Sequence, residues 1–135
     1  MKNVFVYGSL MFDDVWNRIV QHHYEKHSAV LLGYKRLTVK GANYPGLVKS
    51  FNSSIEGVVY RNVTAQDIKR LDKFEGECYK KISVSVACET GQLLNAEVYL
   101  FNIRHKNLLT NTPWDPVRFK AHHLRQFITK YRSFF

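Results

Sequence analysis

A chain of 135 residues that is 45% hydrophobic is long enough for one domain, spanning residues 1–135, with its own core. It has no apolar run near the roughly 20 residues of a membrane-spanning helix, and its opening Lys2-Asn3-Val4-Phe5-Val6-Tyr7 is too short for a signal-peptide core, so a cytoplasmic protein is expected. The net charge of +9, from 20 basic against 11 acidic residues, suits an anionic partner, but the basic residues are scattered and no nucleic-acid reader motif accompanies them.

In chain order, Val4 to Tyr7 is a short apolar and aromatic run halted by Gly8-Ser9, which predicts a strand and then a tight turn. Asp13 and Asp14 can cap a helix that carries Val15, Trp16, Ile19, Val20 and His23 on one face. Residues 30–39 are rich in β-formers with Gly33 as a bend or bulge, and Asn43-Tyr44-Pro45-Gly46 is turn chemistry. Another strand is expected over 55–61. Thr64 suits the N-cap of a short helix ending near Glu75, and Gly76 stands where a C-terminal glycine belongs.

Further along, Ile82, Val84 and Val86 alternate with Lys81, Ser83 and Ser85, the period of a half-exposed strand over 79–86. Glu89-Thr90-Gly91 turns that strand into the next, over 93–103. The cysteines, Cys78 and Cys88, match neither a zinc pattern nor a disulfide framework and are expected as idle thiols in a reducing compartment. Asp115-Pro116 supplies an N-cap and a first-turn proline for a closing helix. That helix places Leu124, Phe127, Ile128 and Tyr131 on one face, and Arg118, Lys120, Arg125 and Arg132 largely elsewhere. Strands outnumber helices, and the turns between neighbouring strands are too short for parallel crossovers. The expected fold is α+β, a largely antiparallel curved sheet or small β-barrel with a few packed helices.

The helix ending near Glu75 puts Ile68, Leu71 and Glu75 at i, i+3 and i+7, on one face. Ile68 and Leu71 mark that face as core-facing. A carboxylate there is costly unless paired or neutralised, and burial raises its pKa toward the range of a general acid/base. Glu75 is a catalytic candidate on this pattern alone. Asp72 shares its arc, and either pairs with it or, as preferred, accepts hydrogen bonds and helps end the helix.

In Tyr7-Gly8-Ser9-Leu10 the glycine lets the backbone approach a ligand, and successive N–H groups can cradle an anion, although no second glycine makes a phosphate loop. Ser9 lacks the Gly-x-Ser-x-Gly surroundings of a nucleophile. His23 and His27 have the i, i+4 spacing of a metal pair, but residue 24 is Tyr and no third ligand is evident, so a polar helix face is expected. His122 and His123 are adjacent and point different ways on a helix. Tyr44 and Tyr79 can line a pocket or simply pack.

Val4-Phe5-Val6-Tyr7-Gly8-Ser9-Leu10, Tyr44-Pro45-Gly46, Gly57-Val58-Val59-Tyr60 and Leu71-Asp72-Lys73-Phe74-Glu75-Gly76-Glu77-Cys78-Tyr79 occur in that order. Together they resemble the gamma-glutamylcyclotransferase-like family, in particular its AIG2-like branch. Trp114-Asp115, Phe119-Lys120 and His123-Leu124-Arg125-Gln126-Phe127 look like that branch's closing helix.

The resemblance implies a small mixed barrel in which the Tyr-Gly-Ser-Leu loop faces a catalytic glutamate across a cavity. The Asp-x-Phe-Glu pattern maps that glutamate onto Glu75. It implies intramolecular aminolysis of a γ-glutamyl substrate, releasing 5-oxoproline and an amine, with Glu75 as general base and then acid. Gly8, Ser9 and Leu10 would hold substrate through backbone N–H groups, Tyr7 and Tyr79 would wall the pocket, and no metal or organic cofactor is called for. A free amino acid, cysteinylglycine, a polyamine or an ε-lysine isopeptide all fit as the departing amine. The expected partner is a small γ-glutamyl molecule, with no nucleic acid and no membrane, and the expected state is a monomer or weak homodimer. Two rival readings stand beside this one: a non-catalytic small-molecule binding protein of the same fold, and a basic nucleic-acid-binding module.

Overall fold

The computed structural model describes residues 1–131, apart from the side chain of residue 103. Among the described residues six strands are formed: β1 (Lys2–Val6), β2 (Lys26–Val39), β3 (Pro45–Val63), β4 (Tyr79–Cys88), β5 (Leu93–Phe101) and β6 (Leu109–Pro113). Four described α-helices accompany them: α1 (Asp13–Ile19), α2 (Ala65–Glu75), α3 (Pro116–His122) and α4 (Leu124–Lys130). A 3-10 turn follows β1 (Ser9–Met11), and a 3-10 segment kinked at His105 follows β5 (Ile103–Leu108).

β1 lies antiparallel to β3 and parallel to β5, while β4 pairs antiparallel with both β5 and β2. Because β2 also pairs with β3, the ring β3-β1-β5-β4-β2 closes on itself, and β6 is added to β2 outside the ring. Closure leaves these five strands without a free edge. The single parallel contact explains why the barrel is mixed rather than purely antiparallel.

The strand period of two sorts side chains to the two faces of the barrel wall. Phe5, Leu31, Leu47, Val59, Val86 and Val98 pack together in one buried cluster. Val4, Val6, Tyr60 and Val63 pack in another with Val15 and Trp16 of α1, Ile68 and Leu71 of α2, Phe119 of α3 and Phe127 of α4. The helices are therefore held to the barrel by the outward residues of β1 and β3. Trp16 stacks flat on Tyr60, with ring centroids 3.7 Å apart.

Several local expectations need correction. α1 begins after Phe12, and no side chain caps it; Asp13 and Asp14 lie inside its first turn, where carboxylates meet the positive end of the helix. The helix ends at Ile19, so His23 lies beyond it and His27 is in β2. Their spacing is not a helical metal pair. His27 sits between Glu25 (3.4 Å) and Glu89 (3.6 Å) instead.

Pro45-Gly46 opens β3 rather than forming a turn, and the strand runs 19 residues to Val63. Proline is tolerated at a strand's first residue. At Gly46 a Cβ would lie 2.7 Å from both Leu109 and Phe101, so the chain crosses there only as glycine. Gly33 does bend β2: its φ is +85°, and the β2–β3 register shifts between Leu32 and Tyr34. The closing helix is two helices, broken at His123 (φ −127°, ψ −18°). Arg132 lies outside the described residues. No described helix is long and apolar enough to cross a membrane.

The early end of α1 has a visible cause in Asp67, which is fully buried in the first turn of α2. Its carboxylate accepts from the Gln21 N–H (3.0 Å), from Arg70 Nη1 (2.7 Å) and from the Tyr24 hydroxyl, and it lies 3.1 Å from His22 Nδ1. Segment 21–24 is thereby drawn out along α2 instead of continuing as helix. Burial pushes the Asp67 pKa up, but the hydrogen bonds from Tyr24, Gln21, His22 and Arg70 outweigh it and hold the group below its ordinary 3.8.

A depressed carboxylate contributes stability above its unfolded pKa and loses it as pH falls through the folded value. Asp67→Asn is therefore expected to lower stability by about 1–3 kcal/mol at pH 7. In urea titrations the difference from wild type should shrink as pH drops below the ordinary 3.8. A difference that grows in acid would contradict the role given to Asp67.

Candidate active site

The end of β1 and the end of α2 meet at one opening of the barrel. After Val6 the chain turns through Tyr7 and Gly8 into a single 3-10 turn, Ser9–Met11. The Met11 N–H closes on Gly8 O (3.0 Å) and the Phe12 N–H on Ser9 O (3.2 Å). The N–H groups of Ser9 and Leu10, at the start of this turn, have no acceptor within it. Opposite them, α2 delivers Glu75 in its last turn. Thr64 caps the helix start by accepting from the Asp67 N–H (3.2 Å), and Gly76 ends it with φ +76°, its N–H on Asp72 O at 3.1 Å.

The two ends enclose a cavity of about 70 Å³. Tyr7, Gly8, Ser9, Leu10, Glu75 and Tyr79, all candidates from the sequence, line it together. Phe5, Val6, Tyr44, Pro45, Phe74, Tyr99, Phe127 and Tyr131 complete the wall. A space of about 10–15 Å³ holds one water, so the cavity admits a small polar molecule's reacting end.

Glu75 is half-buried here, and no described donor hydrogen-bonds its carboxyl. Burial first, and the negative Asp72 second, push its pKa from an ordinary 4.5 to about 8. Asp72 is spoken for elsewhere: it accepts from the Tyr99 hydroxyl (2.7 Å) and from Lys81 Nζ (3.1 Å). The two acids three residues apart thus have separate environments, one paired and the other unpaired.

The phenols around Glu75 are fixed donors. Tyr79 OH donates to Pro45 O at 2.7 Å, and Tyr7 OH donates to Tyr99 O. Burial, then the Glu75 charge, holds the Tyr7 pKa well above 10; for Tyr79, burial leads, with neighbouring Tyr7 and Glu75 adding to it. These hydroxyls stay protonated across the physiological range. Glu75 is the cavity-lining group poised to exchange a proton near neutrality.

Phe74, Tyr99, Phe127 and Tyr131 are site residues that the sequence does not single out. Phe127 and Tyr131 lie on an apolar helical stripe whose period reads as core. Among the described residues, no three His, Cys, Asp or Glu side chains converge as metal ligands. Cys78 and Cys88 are free thiols.

Comparison with known proteins bears on the family and the fold. Residues 4–116 match the family model described as "Gamma-glutamyl cyclotransferase, AIG2-like". AIG2-like protein A of Arabidopsis thaliana is 30% identical over 134 residues, covering 98% of this chain and 81% of that protein. The solution structure of an Arabidopsis thaliana protein superposes with a TM-score of 0.74 at 28% identity, covering 98% of this chain and 80% of the other. A structure named gamma-glutamyl cyclotransferase shares the fold, with a TM-score of 0.66 at 19% identity over 75% of this chain and 66% of its own. With the family model spanning most of the sequence and the barrel shared, the chain belongs to the gamma-glutamyl cyclotransferase, AIG2-like family.

Proposed function

We propose that the protein is a cofactor-independent cyclotransferase that closes a γ-glutamyl amine or peptide on itself, releasing 5-oxoproline and a free amine. The observation that supports this most is the unpartnered Glu75, held near pKa 8, lining the same cavity as Gly8, Ser9 and Leu10 at the start of the 3-10 turn.

The substrate's α-ammonium stands beside its own free α-carboxylate, so its pKa lies above the roughly 8 of a peptide amino terminus. Burial lifts the Glu75 pKa toward it, which lowers the free-energy cost of moving the proton between them. The freed nitrogen lone pair attacks the γ-carbonyl carbon, forming the ring C–N bond as the carbonyl pair moves onto oxygen. Glu75 relays a proton from the attacking nitrogen to the departing one. The oxygen pair then returns, the bond to the departing nitrogen breaks, and amine and lactam separate. One amide bond is exchanged for another, and neither water nor an oxidant is consumed.

Binding in a folded conformer makes ring closure efficient, since well-oriented closures reach effective molarities of about 10⁵ M or more. The loop N–H groups suit either the α-carboxylate or the oxygen that becomes negative. The aromatic wall from Phe74, Phe127 and Tyr131 keeps water from competing with the amine.

Incubation with γ-glutamyl amino acids, glutathione, a γ-glutamyl polyamine and γ-glutamyl-ε-lysine, followed by detection of 5-oxoproline, tests the reading. Release from at least one substrate is expected. Tight binding without release from any of them would point to a binding protein instead.

Gly8→Val tests the loop. Gly8 has φ −123°, so the difficulty is space rather than backbone strain; a Cβ would already lie 3.0 Å from Pro45 Cγ and Cδ. The added methyls should displace the loop or Pro45 and weaken binding of a γ-glutamyl ligand by at least about tenfold, a loss on the scale of one overpacked contact. Unchanged affinity in calorimetry would remove Gly8 from the site.

A further inference from the structure

One cation stands directly behind the Tyr7–Gly8 peptide without lining the cavity. Arg36, from β2, is partly buried, and its Nη1 donates both to Tyr7 O (2.8 Å) and to Glu56 O (3.1 Å). Its guanidinium lies 5.5 Å from the centre of the Trp114 ring, and the Trp114 backbone N–H reaches Arg36 O at 3.4 Å. A charge in such a position is seldom worth more to stability than an apolar side chain of the same volume. Its geometry suggests another use.

β1 pairs with β3 in the register Val4↔Tyr60, Phe5↔Val59, Val6↔Val58. Continued, that register would bring Gly8 opposite Glu56. The guanidinium occupies Glu56 O instead, and the chain leaves the ladder for the Ser9–Met11 turn. Arg36 also takes Tyr7 O. No peptide bond among the described residues is cis, and in a trans peptide the C=O and the following N–H point to opposite sides of the chain.

We propose that Arg36 is a positioning residue that turns the Tyr7–Gly8 peptide outward through its carbonyl, so that the Gly8 N–H faces the cavity and joins those of Ser9 and Leu10 in one anion-holding cradle. The bond from a cation to Tyr7 O also polarises that peptide and makes the Gly8 N–H a stronger donor. What the cradle holds, the substrate carboxylate or the developing oxyanion, rests on the cyclotransferase reading. The peptide's orientation does not.

The test uses the full chain with Arg36→Met, which keeps the stem on Trp114, and Arg36→Lys, which keeps a cation and one donor. The Tyr7 carbonyl carbon and Gly8 amide resonances are followed by NMR, 5-oxoproline affinity by calorimetry, and turnover by kcat/KM. In Arg36→Met both resonances should move, and 5-oxoproline affinity and kcat/KM should fall at least about tenfold, the scale of one misaimed donor. The Glu75 titration should stay where it is in wild type, and Arg36→Lys should recover part of the loss.

A merely structural role would instead lower the melting temperature and leave the affinity of the folded fraction unchanged. Unmoved Tyr7 and Gly8 resonances in Arg36→Met would overturn the proposal, as would full affinity in that variant. If wild type neither binds 5-oxoproline nor turns over any substrate, the cyclotransferase reading fails by itself, and the two resonances still decide whether Arg36 sets the peptide.

Discussion

Glu75→Gln should lower 5-oxoproline release by about 10²- to 10⁴-fold, the usual range for removing a general acid/base. Glutamine has nearly the same volume and can still hydrogen-bond, so α2 and the cavity wall should survive. What it lacks is a titrating proton. Neighbouring Tyr7 and Tyr79 cannot substitute, because their hydroxyls are committed to Tyr99 O and Pro45 O and ionise only well above pH 10. Asp72 cannot either, being bound by Tyr99 and Lys81. The measurement is turnover alongside near-ultraviolet circular dichroism, with an unchanged spectrum and lost turnover expected. Retained turnover in a properly folded mutant would remove Glu75 from the reaction.

The same substitution should make the protein more stable in mild alkali. Glu75 has a folded pKa of about 8 against an ordinary 4.5, so between those values the folded chain keeps a proton that the unfolded chain releases. Stability is then unaffected by this group below the unfolded pKa, and is lost progressively as pH rises toward the folded one. Each pKa unit is worth about 1.36 kcal/mol. The penalty above pH 8 is thus at most about 5 kcal/mol, and less because solvent reaches part of the carboxyl.

The glutamine side chain of the mutant has no carboxyl proton to lose. Chemical denaturation should find Glu75→Gln and wild type alike near pH 4, and the mutant more stable by about 2–4 kcal/mol near pH 9. Equal stabilities at pH 9 would mean that the carboxyl is not sheltered. Asp67 works in the opposite direction, and its contribution cancels because both proteins retain it.

How far these features are legible in the sequence depends on whether their causes are local. α2 is readable because Thr64, Gly76 and the Ile68-Leu71-Glu75 stripe lie within one short segment. Glu75 stands out as an acid on an apolar face. Asp67 does not, although it shares a face with Leu71 four residues on, since it sits in the first turn, where acids are ordinary; its partners come from segment 21–24, folded over it.

β3 is cut short in the sequence reading because Pro45-Gly46 is turn chemistry by composition. What makes it strand is its pairing with β2, Pro45 opposite Thr38 and Gly46 opposite Leu37, and the glycine is required by Leu109 and Phe101, more than fifty residues away. Similarly, Phe127 and Tyr131 have the spacing of core residues, and what makes them cavity wall is the break at His123, which re-aims α4 toward Phe74 and Tyr44. Arg36 lies in a strand whose alternation marks it only as polar. Its partners, Tyr7 O and Glu56 O, are main-chain atoms that no side-chain pattern could announce.

The central claim is that one carboxyl is sheltered enough in the cavity for its pKa to be raised to near neutrality, so that it can both take up and give back a proton. An NMR titration of the side-chain carboxyl carbons, with the Glu75 signal assigned by its loss in Glu75→Gln, measures this directly. A Glu75 midpoint near 8 is predicted. A midpoint near the ordinary 4.5 would contradict the account.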